Sequence, residues 1–198
     1  MRTILTIWTQ PRKTFEYLDK EIEPGLKINV DILFYLGSLA IALPGIPQMV
    51  LKNQALNGHS IVYSIFISLM GSLFIAFFIA LLFKYVHSFM LWAIGKALQG
   101  KATMVQVQLV IAYAMIPGLI SLFISCVLVI IALFLNDINV IGYQNPLTLF
   151  IIWIFGARTL IYGIATFNRF SYGYALLNLV VSVTLIQGIQ LSIKYLMH

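Results

Sequence analysis

Five long apolar stretches, divided by short polar ones, run through the chain. They cover residues 31–51, 61–98, 103–135, 146–167 and 174–196. A helix needs about 20 apolar residues to cross the hydrocarbon of a bilayer, and each stretch is long enough. In hydrocarbon a helix satisfies its backbone N–H and C=O groups within one segment. The pattern therefore predicts an all-α fold, a polytopic membrane helix bundle with five transmembrane helices over residues 31–198. Residues 1–30 read differently, as a polar tail with an amphipathic centre. Trp8, Pro11, Phe15, Leu18 and Ile22 recur at three- and four-residue spacing, one face of a helix, while Arg12, Lys13, Glu16, Asp19 and Lys20 occupy the rest. Pro11 suits a first helical turn, where its missing N–H is not needed. Such a helix is expected to lie in the headgroup region with Trp8 dipping into it; the same pattern also allows a helix packed on the bundle.

The spans carry interruptions. Pro44, Gly45 and Pro47 predict a kink or break in the first. The second, at 1.5 Å per residue, would extend more than about 50 Å, so it must tilt or bend near Lys84. Lys84 and His87 are three apart and share a face. At membrane depth they would need a partner and mark a functional site; at the interface they would snorkel. Gly95, Lys96, Gly100 and Lys101 make a tight basic turn, and Thr103 with Gln106 has capping-box spacing for the next helix. That helix is expected to kink at Pro117, with Ser121 and Ser125 available to cover freed backbone groups. Arg158 lies inside the fourth span and Arg169 just beyond it. Asn178, Gln187 and Gln190 of the fifth are expected to face other helices, since hydrocarbon offers amides no partner.

Composition closes off other classes. The chain of 198 residues is 61% hydrophobic and 9% charged, against about 25% charged in soluble domains. Its net charge of +6 comes without a basic stripe interleaved with aromatics, so nucleic acid is not an expected partner. The basic residues report orientation instead. Five spans place Arg2, Arg12, Lys13, Lys20, Lys27, Lys96, Lys101 and Arg169 on one side, against Lys52 and Lys194 on the other. The rule that basic loops stay inside sets the N-terminus in the cytoplasm and the C-terminus outside. Lysines of the 95–101 turn would then face anionic lipid headgroups.

Chemistry-bearing motifs are few. The glycine spacing from Gly95 to Lys101 nearly matches a phosphate-binding loop, but Ala102 replaces the required hydroxyl and no strand precedes it. His59, His87 and His198 are far apart, and past the tail the acids are Asp31 and Asp137, on opposite sides. Neither a Ser–His–Asp nor a two-carboxylate site can be assembled. The lone Cys126 can form neither an internal disulfide nor a cysteine-based zinc site. No catalytic residue, metal or cofactor is expected, and no enzyme.

The opening Ile7-Trp8-x-x-Pro11-x-x-Thr14-Phe15, then His87 followed by the Gly-Lys turn, and above all Gly100-Lys101-Ala102-Thr103-x-x-Gln106 leading to Ala112-Tyr113-Ala114-x-x-Pro117, resemble the Yip family. These are Ypt/Rab-interacting integral membrane proteins. Pro11, Gly100, Lys101, Tyr113 and Pro117 match that family's pattern, and the resemblance covers nearly the whole chain. It implies five spans with a cytoplasmic N-terminus. Eukaryotic members sit in the ER and Golgi, bind prenylated Rab GTPases and assemble with one another, largely through a longer cytosolic N-terminal region. The short tail here resembles the bacterial type and implies a bacterial cytoplasmic membrane.

The expected role is a non-enzymatic scaffold that binds itself or another membrane protein. The alternative is a small transporter or lipid-handling protein in which Lys84, His87 and Arg158 surround a polar cavity beside the broken first span. Five crossings put the two ends on opposite faces. In a Cys126→Ser background, a membrane-impermeant thiol reagent should reach Thr3→Cys and His198→Cys from opposite sides of sealed vesicles. Labelling of both from one side would overturn the odd number of crossings.

Overall fold

The computed structural model describes residues 2–21, 30–57, 60–135, 137, 140 and 145–196. Among these residues all regular structure is helical: α1 (Arg2–Thr9), α2 (Pro11–Glu21), α3 (Asp31–Ala42), α4 (Ile46–Asn57), α5 (Ile61–Leu81), α6 (Ser88–Ala97), α7 (Met104–Ala114), α8 (Gly118–Leu135), α9 (Pro146–Asn168) and α10 (Tyr172–Leu196). Five stretches are long and apolar enough to cross a membrane: Asp31–Asn53, Ile61–Ala97, Gly118–Leu135, Pro146–Asn168 and Tyr172–Ile189. Large apolar side chains such as Phe123, Phe134 and Trp153 face outward, a surface that water does not tolerate at this extent. The fold is the all-α polytopic bundle that the hydrophobic pattern predicts.

Each interruption takes a specific form. In the first span Pro44 falls in a 3₁₀ turn, Leu43–Gly45, and Pro47 is the second residue of α4. The N–H groups of Leu43 and Ile46 bond to Leu39 and Leu43 carbonyls, so the break is repaired from within. The helix then continues to Asn57, where a polar loop was expected from residue 52. The bend expected near Lys84 is a π-helical turn, Leu82–His87. The buried Ser88 donates its hydroxyl to the Phe83 carbonyl at 3.0 Å, closing a backbone acceptor inside the widened turn. The third span is not one kinked helix. It breaks between α7 and α8, and main-chain N–H groups of Gly118 and Ile120 take the carbonyls of Met115 and Pro117, the role expected of Ser121 and Ser125. At the start of α7 the capping box is present. The Thr103 N–H meets Gln106 Oε1 at 2.8 Å, and the Gln106 N–H meets Thr103 Oγ1 at 3.3 Å.

The chain forms two compact units. One comprises Asn29–Leu82 and Met115–Gly156. In it α3 packs on α5 and α8 over a core of Leu43, Ile46, Val50, Ile65, Val129 and Ala132. Ser64, Ser68, Ser72, Ala76 and Ala80 recur every four residues on α5 and are all buried. Small side chains let neighbouring helices approach closely where there is no hydrophobic drive between them. Asn53 Nδ2 reaches Ser68 Oγ at 3.5 Å from α4, and Gly37 gives room to the Met115 side chain.

The other unit comprises Met1–Ile28, Phe83–Ala114 and Ala157–His198. Here α6 packs on α7 and α10. The tail helix is part of this unit. Phe15 is fully buried, with its ring 6.1 Å from Tyr113 and 5.9 Å from Phe167. Gly163 leaves space for Phe15 and Val110, whose atoms would meet a Cβ there at 3.0 Å or less. Ile7, Thr14 and Leu18 are buried as well, so protein covers the apolar face assigned to the headgroup region. Trp8 is half-buried on α1, Pro11 is buried at the start of α2, and Ile22 lies outside the described residues. Replacing Phe15 with Ala should cost the docking of α2 about 3–5 kcal/mol, as for a large buried ring. In detergent, limited proteolysis of the tail should be faster for Phe15→Ala and unchanged for Tyr17→Ala, whose side chain is exposed.

Candidate functional site

Helices α6 and α9 end in the same way. Gln99 and Arg169 have left-handed backbones, with φ of 64° and 60°. After α6, Gly100 N–H bonds to Gly95 O at 2.7 Å and Gln99 N–H to Lys96 O at 2.9 Å. After α9, Phe170 N–H bonds to Ala165 O and Arg169 N–H to Thr166 O. Both are Schellman ends, which glycine normally occupies, and a residue with a Cβ costs about 1–2 kcal/mol there.

Asn168, the last residue of α9, holds the two ends together. It is 4% exposed. Its main-chain carbonyl accepts from Lys101 N–H at 3.4 Å, and its side-chain Oδ1 accepts from Ala102 N–H at 3.3 Å. A Cβ on Gly95 would sit 3.1 Å from both Asn168 Oδ1 and Asn178 Nδ2, and one on Gly100 would overlap Asn168 outright. The glycines that imitate a phosphate-binding loop therefore make room for an asparagine. Asn178 is fully buried, and the Ser182 hydroxyl bonds to its carbonyl at 2.7 Å. The Nδ2 groups of Asn168 and Asn178 are buried without hydrogen-bond partners among the described residues.

The tail closes on the same end. Arg169 forms an ion pair with Asp19, and Gln106 Nε2 reaches the same carboxylate at 3.5 Å. Lys96 Nζ donates to Gly100 O at 3.2 Å. The tail, the 95–101 turn and the turn after α9 thus share one side, as the span count requires. Beside them opens a cleft of about 730 Å³ lined by Ala97, Leu98, Gln99, Lys101, Asn168, Arg169, Phe170, Ser171 and Tyr174.

Of the residues singled out from sequence, Gly95, Lys96, Gly100 and Lys101 meet here. Tyr113 is buried beneath Phe15, and Pro117 lies buried in the α7–α8 turn. Lys84, His87 and Arg158 instead each stack on an aromatic of their own helix. Lys84 Nζ lies 5.3 Å from the Tyr85 ring centre, and Arg158 5.6 Å from that of Tyr162. The His87 ring is 5.4 Å from Phe83. None of the three lines the basic cleft or the second cavity, of about 240 Å³, lined by Ser121, Ile124, Ser125, Leu128, Asn145, Thr148 and Leu149. Of the amides in the fifth span, Asn178 faces the bundle and Gln187 is exposed, while the side chain of Gln190 lies outside the described residues. Sequence reading missed Asn168 and the Asp19–Arg169 pair. An asparagine at the end of a span, just before a basic residue, was the available signal for the first.

The fold and this basic, turn-built end define an integral membrane helix bundle with a docked amphipathic tail. A family model, the Yip1 domain, matches residues 5–193. The chain belongs to the Yip1-domain family, in agreement with the resemblance of its motifs. No curated protein and no solved structure matches it.

Gly100→Ala should lower stability by about 1–3 kcal/mol, the usual cost of overpacking, because Asn168 and the Gly95 carbonyl both occupy the new methyl's space. A thermal shift assay in detergent would show this as a reduced Tm. Gly188→Ala, with nothing within 4 Å of the new methyl, should leave Tm unchanged or raise it.

Proposed function

We propose that this protein is a non-enzymatic membrane scaffold that binds another integral membrane protein through the exposed face of α9. The observation that carries the reading is Arg158. It stands ten residues from Asn168 and twelve from Pro146 on α9, about 15 Å and 18 Å along the helix axis. That is mid-depth for a hydrocarbon core about 30 Å thick, beyond the reach of an arginine side chain to either headgroup layer. Arg158 is nevertheless exposed and rests on Tyr162. A cation at that depth costs about 2.5–3.5 kcal/mol on insertion scales and is normally paired.

A second copy of this chain offers no carboxylate at that level. Its acids are Glu16, Asp19, Glu21 and Glu23 in the tail, Asp31 at the first residue of α3 and Asp137 past the end of α8. The partner that answers Arg158 is a different membrane protein with a carboxylate inside a span. None of Lys84, His87 and Arg158 lines either of the two cavities described above, which lends the transport reading no support. The eight basic residues of the tail side favour placing that side in the cytoplasm.

A photocrosslinking residue at Ile154, exposed one turn from Arg158, should capture a second membrane protein in native membranes. The adduct should vanish with Arg158→Leu and survive with Arg158→Lys. Capture of lipid alone, or an adduct indifferent to Arg158→Leu, would sink the reading.

A further inference from the structure

We propose that the cavity between α8 and the start of α9 binds the ester-linked glycerol of an uncharged membrane lipid, a diacylglycerol. The inference does not rest on the partner proposed for Arg158. Both walls belong to one compact unit, Asn29–Leu82 with Met115–Gly156. Ser121 and Ser125, one turn apart on α8, line the cavity together with Asn145 and Thr148 at the entry to α9. The rest of the lining is apolar: Ile124, Leu128 and Leu149.

A hydroxyl inside a span normally donates to the carbonyl one turn back, since hydrocarbon offers no other acceptor. This chain follows that habit at Ser72, Thr166, Ser182 and Ser192, each bonded to the carbonyl four residues earlier at 2.7–2.9 Å. Ser121, Ser125 and Thr148 depart from it. Their hydroxyls make no hydrogen bond among the described residues, although all three lie within stretches apolar enough to cross a membrane. Ser125 is only 5% exposed, and the space it lines is this cavity. The Met115 and Pro117 carbonyls already accept main-chain N–H groups. Asn145 Oδ1 accepts the Leu147 N–H at 2.9 Å, which leaves its Nδ2 as a further donor. Donors without acceptors in apolar surroundings are unfavourable until something answers them.

The lining selects the occupant. No charged residue borders the cavity, and an ion desolvated there would go uncompensated. The occupant is therefore neutral, apolar over most of its surface, and an acceptor of several hydrogen bonds. Ester carbonyls on a glycerol meet that description. The cavity of about 240 Å³ equals roughly eight waters at about 30 Å³ each, room for a glycerol and its esters but not for whole acyl chains. Ile124 and Leu149 line the cavity and are also exposed on the outside of the unit, so the chains can leave over them into the bilayer. A phospholipid would bring a phosphate to a wall that holds no cation. The free hydroxyl of a diacylglycerol asks for none.

Full-length protein in phosphatidylcholine nanodiscs containing a diacylglycerol with a diazirine on one acyl chain is photolabelled. Labelling should saturate with the probe, map by mass spectrometry to α8 and the start of α9, and be displaced by unlabelled diacylglycerol despite the excess of phosphatidylcholine. Ser121→Ala combined with Ser125→Ala should weaken binding by about tenfold or more, the loss of two neutral hydrogen bonds. The pair should leave Tm unchanged, because neither hydroxyl has a bond within the described chain to lose. Ser125→Thr, which keeps the hydroxyl, should bind as the parent does, and so should Ser192→Ala, outside the cavity. Labelling that never saturates, or that spreads over all spans, would mean bulk lipid contact or a cavity holding only water, and would overturn the proposal. An equal loss in Ser192→Ala would do the same. A lowered Tm in the alanine pair would show that the hydroxyls bond within the chain, which removes the premise.

Discussion

One carboxamide occupies the space of two missing side chains. Asn168 sits against Gly95 and Gly100, and its main-chain and side-chain oxygens hold the segment that leaves α6. The arrangement joins a turn near the middle of the chain to the end of α9, 66 residues away. Each end closes on its left-handed residue through its own Schellman bonds, and the Lys101 and Ala102 N–H bonds to Asn168 join the two ends. The Asp19–Arg169 pair and the burial of Phe15 then draw the tail onto the same unit.

The other constraint is the absence of water around the spans. A backbone group left open in hydrocarbon costs several kcal/mol, so every departure from α-helix needs its own repair. The 3₁₀ turn at Pro44 keeps N–H groups within reach of nearby carbonyls. The π turn brings in the Ser88 hydroxyl. At Pro117 the helix stops, and a main-chain turn covers the gap. These are three solutions to one requirement, and each lies where proline, serine or a polar side chain interrupts an apolar run.

Charge is distributed by the same logic. The span count assigns most of the basic residues to the tail side, where water and headgroups would solvate them. Arg158 departs from that pattern: it rests on an aromatic ring, and no counter-ion meets it among the described residues. That departure is the basis for proposing a partner from within the membrane.

Sequence alone determined the number of apolar spans, the helical tail and the capping box at Thr103. Those features follow from local rules: length against bilayer thickness, helical spacing and the chemistry of helix ends. The position of Phe15 was legible only as a choice between headgroups and bundle, because an apolar face does not say what covers it. Lys84, His87 and Arg158 looked alike as charges near spans, and only their neighbours separated them. The Asn168 contact, the matched helix ends and the cleft were decided by tertiary structure. They depend on residues far apart in sequence arriving at one point, and hydrophobic periodicity carries no record of which helix end meets which.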